Sequence, residues 1–372
     1  MFHKIINKTS KGPTILVVPL DWGLGHATRC IPIIKELQLQ GCKVIVAAEF
    51  ASKSLLEHEF QQLTFIDLPG YRIRYTANRF WMPLKIVQQI PRILYRVLYE
   101  HMWLKKVEKK HFINAVFADN RFGLYKKSIP TIYITHQLLI KTGNSFSEKI
   151  LQIIHFWFIK RFSYCWIPDF EGKINIAGEL SHSSKIPRNA SYIGCLSRFE
   201  KQPVTLKKFN LLIIISGPEP QRKIFENLIL SQLTNQHGNV LLVRGLPGTR
   251  DENKSILNTA YPDNVVIKNH LAAKELNEAI ESAEWVISRS GYTTVMDLIK
   301  LQQKAILVPT PGQTEQEYLA AHLMEHHFFY AAKQEGFVLN NELKHATNFS
   351  FRIPSFDMEL YKKFIAQFVQ SL

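Results

Sequence analysis

Three loops of the 372-residue chain hold residue types and spacings suited to proton transfer and anion binding. The first is D-W-G-L-G-H, Asp21 to His26, between an apolar run and a helical pattern. Gly23 and Gly25 allow a ligand close to the backbone, the helix start beyond them can hold negative charge, and His26 is a candidate general base. The second is D-N-R, Asp119 to Arg121, with His136 and Gln137 on a later loop. A carboxylate beside an imidazole orients the ring and raises its basicity, so Asp119 is the expected partner of His26, with Asn120 and His136 on the same side. The third is S-R-S-G-Y-T-T, Ser288 to Thr294, followed by V-P-T-P-G-Q-T-E-Q-E-Y, Val308 to Tyr318. Ser290, Gly291, Thr293 and Thr294 open a helix directly after a strand and offer backbone N–H groups and hydroxyls to a diphosphate without any metal. Asp297, one turn further, is spaced to meet ribose hydroxyls. Plainer roles stand beside these: His26 packing at a helix start, Asp119, Ser290 and Asp297 as caps, and His136 as a satisfied polar residue.

The elements that must position these loops repeat a simple pattern. Thr14 to Leu20, Val44 to Glu49, Leu63 to Leu68, Ala115 to Ala118 and Thr131 to Thr135 are short β-branched runs alternating with helical stretches such as Ala27 to Gln40. The pattern restarts with Leu211 to Ser216, Val240 to Gly245, Val265 to Ile267, Trp285 to Ser288 and Ala305 to Pro309. This alternation is the mark of parallel α/β layers, and at roughly 150 residues per domain the length fits two of them. The expected organisation is a Rossmann-like domain over 1–198, a second over 199–356 and a closing amphipathic helix over 357–372. The polar stretch Ser197 to Lys208 links the two domains. In such sheets ligands bind beyond the carboxyl ends of the strands, where all three loops fall.

Composition excludes other classes. Hydrophobic residues at 46% and charged residues at 21% describe a soluble globular chain, neither disordered nor collagen-like. Cys30, Cys42, Cys165 and Cys195 have no C-x-x-C spacing, which fits free thiols in a reducing compartment. No secretory signal is visible, and the expected location is the cytoplasm. The formal charge of +15 is one-sided: the first 200 residues hold 28 Lys and Arg against 14 Asp and Glu, the rest 18 against 17. The stretch Tyr71 to Lys110 concentrates it, with ten Lys and Arg interleaved with Tyr71, Tyr75, Phe80, Trp81, Tyr95, Tyr99 and Trp103. That composition fits a helix lying on an anionic membrane surface, alongside an ordinary solvated face or a nucleic-acid contact, the last disfavoured because no nucleic-acid module accompanies it. The apolar segment Ile150 to Ile167 is interrupted by polar residues and fits a membrane-lying rather than a membrane-spanning stretch.

From Ser216 to Glu335 the chain resembles the C-terminal domain of glycosyltransferase family 28, the peptidoglycan N-acetylglucosaminyltransferase group with the GT-B fold. The matching stretches are S-G-P at Ser216 to Pro218, N-H-L at Asn269 to Leu271, R-S-G-Y-T-T-V-M-D at Arg289 to Asp297, and the run Val308 to Tyr318. The resemblance implies a UDP-linked sugar donor in an interdomain cleft, as co-substrate with no further cofactor. By it, the Leu271 backbone meets the base, Asp297 the ribose, Ser216, Ser290, Gly291 and Thr294 the diphosphate, and Gln316 with Glu317 the sugar, with Gly217 and Thr293 also expected at the donor site. Glu317 stands where that group has a second Gln, and Asp297 where it has Glu. The N-terminal half is similar to the superfamily less closely. G-L-G-H-A-T-R, Gly23 to Arg29, and F-A-D-N-R-F-G, Phe117 to Gly123, resemble a related branch of uncharacterised bacterial and archaeal glycosyltransferases. They differ from the G-G-T-G-G-H loop of the peptidoglycan enzymes, which implies a different acceptor.

The function expected from these features is inverting, metal-independent sugar transfer from a UDP-sugar to an acceptor that a lipid could carry. His26 would act as base and Asp119 as its partner. Two other chemistries suit the same scaffold. One is a sugar-nucleotide epimerase. The other is an NAD-dependent oxidoreductase using the first glycine loop and Glu49, although Thr28 replaces the third glycine of that fingerprint.

Overall fold

A computed structural model describes residues 12–21, 23–72, 82–203, 206–234, 238–246 and 261–372, with side chains of its long third helix from residue 88 onward. Parts of three expectations lie outside the described residues: Trp22 of the first loop, 73–81 of the basic stretch, and 204–205 of the linker.

The first seven strands are β1 (Thr14–Val18), β2 (Lys43–Ala48), β3 (Thr64–Asp67), β4 (Ala115–Asp119), β5 (Thr131–Ile134), β6 (Tyr164–Ile167) and β7 (Ala190–Tyr192). They form one parallel sheet in the order β3-β2-β1-β4-β5-β6-β7. A second parallel sheet, ordered β10-β9-β8-β11-β12-β13, uses β8 (Phe209–Ile214), β9 (Val240–Val243), β10 (Val265–Lys268), β11 (Ala283–Ser288), β12 (Ala305–Leu307) and β13 (Tyr330–Ala331). The strand order reverses between β1 and β4 in one sheet and between β8 and β11 in the other. At such switch points consecutive crossovers leave in opposite directions and open a crevice at the carboxyl ends.

Both faces of β1 are buried, as parallel strands require. Ile15 and Val17 pack toward α1 (Leu24–Leu39) and α2 (Phe50–Glu59), while Leu16 and Val18 pack toward α3 (Met82–His111) and α4 (Ser145–Ile159). In the second sheet α5 (Gln221–Leu230) and α9 (Leu339–Thr347) cover one face. The other is covered by α6 (Ala273–Glu281), α7 (Tyr292–Leu301) and α8 (Thr314–Glu325). The cluster that covers the α1 side of the first sheet continues without interruption into the α7 side of the second.

The segment Ile150 to Ile167 is not one continuous helix but divides into two elements. Its first part is α4, capped by the Asn144 side chain, which accepts hydrogen bonds from the Phe146 and Ser147 N–H groups. Its last part is β6, where Cys165, Trp166 and Ile167 are buried in the sheet. Only α4 retains an exposed apolar side. The strands β6, β7 and β13, absent from the expected set, are short and flank the sheet edges. All four cysteines are buried and free.

The last helix, α10 (Leu360–Gln370), returns to the first domain and packs against α1. Phe368 lies edge-on to Phe117 at 5.5 Å and to Trp166 and Tyr164 at 6.0 Å. Phe368→Ala removes this buried ring and is expected to destabilise the protein by about 3–5 kcal/mol, measured as a lowered urea midpoint; an unchanged midpoint contradicts this packing role.

Candidate active site

β1 and β4 are neighbours, so the loops that follow them meet at the crevice. Gly23 precedes α1 with φ 78, in a backbone region where glycine is at ease, and the helix begins at once. His26 on its first turn places Nδ1 2.8 Å from Asp119 Oδ2 at the end of β4. The expected pair is therefore formed.

Arg29, three residues along α1, is a partner the motif reading passed over. It is 2% exposed and donates from Nε to Asp119 Oδ1 at 2.8 Å and Oδ2 at 2.9 Å, with Nη2 also bonded to Oδ1. Nη2 lies 2.8 Å from His26 Nδ1, and Nη1 lies 3.1 Å from His136 Nδ1. The signal was its spacing: i and i+3 on a helix share one face.

These neighbours correct the expected basicity of His26. Burial and the Arg29 charge pull its pKa below the ordinary 6.5, and the upward pull of Asp119 is outweighed. Burial alone would raise the Asp119 carboxyl, but Arg29 and His26 hold it below the usual range. The cluster thus contains a neutral imidazole beside a carboxylate–guanidinium pair at physiological pH.

His136 faces the other domain. Its Nε2 is 2.8 Å from Glu315 Oε1 at the start of α8, and its ring stacks on Tyr292 at 4.0 Å, parallel within 1°. Beside it the Thr293 hydroxyl donates to the Gly25 carbonyl at 3.2 Å, and the Thr314 hydroxyl to the Lys141 carbonyl at 2.6 Å. Asn120 has φ 51, and its Oδ1 accepts from the Tyr133 hydroxyl at 3.1 Å. His26, Asp119, Gly23, Gly25, Asn120 and His136 therefore share one wall, opposite the start of α7.

The second wall is built at the ends of β8, β11 and β12. Ser216 and Gly217 follow β8, with Gly217 close to the Thr310 hydroxyl. Gly291 caps α7, with Thr293 and Thr294 in its first turn. Ser290 is fully buried, and its hydroxyl donates to the Gln316 carbonyl at 2.8 Å, tying α7 to α8. Gln316 Oε1 accepts from the Thr310 N–H and Glu317 Oε1 from the Gly312 N–H, both at 2.9 Å, so these side chains also shape the loop before α8. Leu271 lies half-buried beside α6. Asp297 accepts a hydrogen bond from the linker hydroxyl of Ser197 at 2.5 Å. Next to it Arg198 has a buried Nε without a hydrogen-bond partner, a second cation that no motif had marked. Glu49, the acid of the dinucleotide alternative, instead accepts from the Gly70 N–H and the Arg72 guanidinium.

Two Rossmann-like sheets facing each other across this cleft have the GT-B fold. The spinosyn rhamnosyltransferase SpnG shares it at TM-score 0.61 and 15% identity, over 96% of this chain and 95% of that one. The MurG of Acinetobacter baumannii shares it at TM-score 0.55 and 14% identity, over 97% and 100%. Residues 213–348 match the model of the glycosyltransferase family 28 C-terminal domain. Over 109 residues the chain is 30% identical to a relative from Natranaerobius thermophilus, a UDP-N-acetylglucosamine–N-acetylmuramyl-(pentapeptide) pyrophosphoryl-undecaprenol N-acetylglucosamine transferase. That match spans 28% of this chain and 29% of the relative.

Asp297 gives the site a measurable pH signature. Burial pushes its carboxyl up to about 6, against the opposing pull of Arg198 and the Ser197 hydrogen bond. The folded state therefore favours the protonated acid, and its stability falls as pH rises from about 4 to about 6. Asp297→Asn is expected to remove that slope and to gain up to about 3 kcal/mol at pH 7. Urea titrations at pH 4.5 and 7 check this; an equal change at both pH values contradicts it.

Proposed function

We propose that the protein transfers a sugar from a nucleotide-sugar donor, a UDP-sugar foremost, to an acceptor hydroxyl held by the N-terminal domain, with inversion and without a metal. The observation that carries the reading is the close approach of the His26 loop to the first turn of α7, Thr293 to Gly25 at 3.2 Å. It sets a neutral imidazole beside a helix start suited to a departing anion. In the proposed displacement His26 Nε2 takes the acceptor proton, and the acceptor oxygen forms its bond to the anomeric carbon. The nucleoside diphosphate leaves with the electron pair of the broken bond. The N–H groups at Gly291 to Thr293 and the Thr294 hydroxyl stabilise that charge, a role helix N-termini fill without reorganisation. Leu271 would take the base, Asp297 the ribose, Ser216 and Gly217 the phosphate edge, and Gln316 with Glu317 the sugar. Family and fold support the donor class, and one SpnG structure holds thymidine diphosphate.

The acceptor reading rests on the opposite side of the first domain. Ile90, Leu94, Leu98 and Met102 form an exposed i, i+4 stripe on α3, with Tyr95 beside it. Phe146, Ile150, Ile153, Ile154 and Trp157 are exposed on α4. Val97 of α3 and Phe158 of α4 belong to one buried cluster, on the inner sides of the two helices. Arg92, Arg96, Lys105, Lys106, Lys109 and Lys110 accompany them on α3. No helix among the described residues is long and apolar enough to cross a membrane. The composition suits a helix pair that sinks its apolar side chains among anionic headgroups and presents a lipid-linked acceptor to the cleft.

UDP is expected to raise the melting temperature of the wild type through binding to the native state, and Asp297→Ala to abolish the shift. A shift with NAD alone would overturn the donor assignment. In sedimentation with phosphatidylglycerol vesicles the wild type is expected to pellet and Leu98→Glu with Trp157→Glu to remain in solution; equal partition of both would remove the membrane from the account.

A further inference from the structure

The proton inventory of the buried cluster fixes the direction of its hydrogen bonds. A carboxylate only accepts and a guanidinium only donates. Glu315 Oε1 lies 2.8 Å from His136 Nε2, so that nitrogen carries the proton. Arg29 Nη1 lies 3.1 Å from His136 Nδ1, so that nitrogen supplies a lone pair. One neutral imidazole satisfies both contacts, and the stack on Tyr292 fixes its plane. Arg29 then donates to both oxygens of Asp119, and Asp119 Oδ2 meets His26 Nδ1. A continuous chain of hydrogen bonds runs from α8 of the second domain, through His136, Arg29 and Asp119, to His26 in the first.

His26 has two neutral forms within this chain. With the proton on Nδ1 it donates to Asp119, and Nε2 offers the lone pair a base needs. With Nδ1 bare it accepts from Arg29 Nη2, equally 2.8 Å away, and Nε2 carries a proton that blocks abstraction. Which form prevails depends on where the guanidinium sits. A His136 released from Glu315 is free to turn away from Nη1, and a guanidinium without that acceptor is free to shift toward His26.

Building on the sugar-transfer reading, we propose that Glu315 is a positioning residue, which acts from the donor domain through His136 and Arg29 to keep His26 in its proton-accepting tautomer. The base is then complete only when the two domains are in contact, and the acceptor is activated only beside a closed donor site.

The tautomer is read directly by NMR of protein labelled with 15N-histidine at pH 8 without any substrate, with His26→Gln identifying the His26 signals. The wild type is expected to show the proton on Nδ1. Glu315→Ala and, independently, His136→Gln are expected to shift His26 toward the Nε2-protonated form. Glu315→Gln, which keeps an acceptor oxygen, is expected to retain much of the wild-type pattern. In turnover, Glu315→Ala is expected to lower kcat about ten-fold with the donor KM within about two-fold, and Glu315→Gln to recover part of the loss. His26 signals identical in wild type and folded Glu315→Ala would overturn the proposal. Because the NMR measurement needs no donor or acceptor, that failure is separate from an absence of sugar transfer, which would overturn the functional reading instead.

Discussion

Asp119 is a carboxylate with 1% exposure, and its ionisation inside the protein depends on Arg29. A buried charge of this kind survives only with a well-placed partner, and loss of one member leaves the other uncompensated at a cost of about 3–5 kcal/mol. The pair sits where β1 and β4 part, so the topology of the first sheet and the electrostatics of the site are one constraint. The start of α1 must carry both His26 and Arg29 on the face that meets β4, and the short loop from β1 does this. The imidazole stays neutral because burial and Arg29 disfavour its charged form, while Asp119 still holds the ring. A base that must be unprotonated before reaction gains from that balance.

The second domain continues the same arrangement rather than merely facing it. The apolar cluster around α1 and α7 is continuous between the sheets, and α10 passes back from the second domain to seal the first. Polar contacts follow the same seam: Tyr292 on His136, Thr293 on Gly25, Thr314 on Lys141 and Glu315 on His136. The site is thereby assembled from two walls that fold around separate sheets. In contrast, the exposed apolar stripes of α3 and α4 belong to the first domain alone, on the face of its sheet away from α1.

Much of the fold was legible because parallel strands buried on both faces leave short apolar runs, and ten of these announced ten strands. The strands β6, β7 and β13 escaped for the same physical reason. They are three or four residues or fewer, and the apolar content of β6 merges with that of α4, so no periodicity separates them. The His26–Asp119 pair was legible because residues at neighbouring strand ends must meet at a switch point. Arg29 was visible as part of the run Gly23 to Arg29, yet a buried arginine acquires meaning only once its partners are known. Glu315 lay within the marked run Val308 to Tyr318, but its pairing could not be found from local pattern, since its partner is 179 residues away in the other domain. Ser290 shows the opposite case: the motif placed it correctly at the start of α7, while its hydroxyl is turned inward to α8.

The most direct test of the central claim is release of nucleoside diphosphate from a panel of UDP-, TDP- and GDP-sugars in the presence of lipid extract, with the sugar followed into the lipid phase. The account predicts that the wild type couples diphosphate release to sugar appearing on an acceptor, and that His26→Ala loses this turnover by about 10²- to 10⁴-fold while still binding the donor. Undiminished transfer by His26→Ala would contradict the site's chemistry, and conversion of the donor sugar with no acceptor consumed would contradict transfer itself.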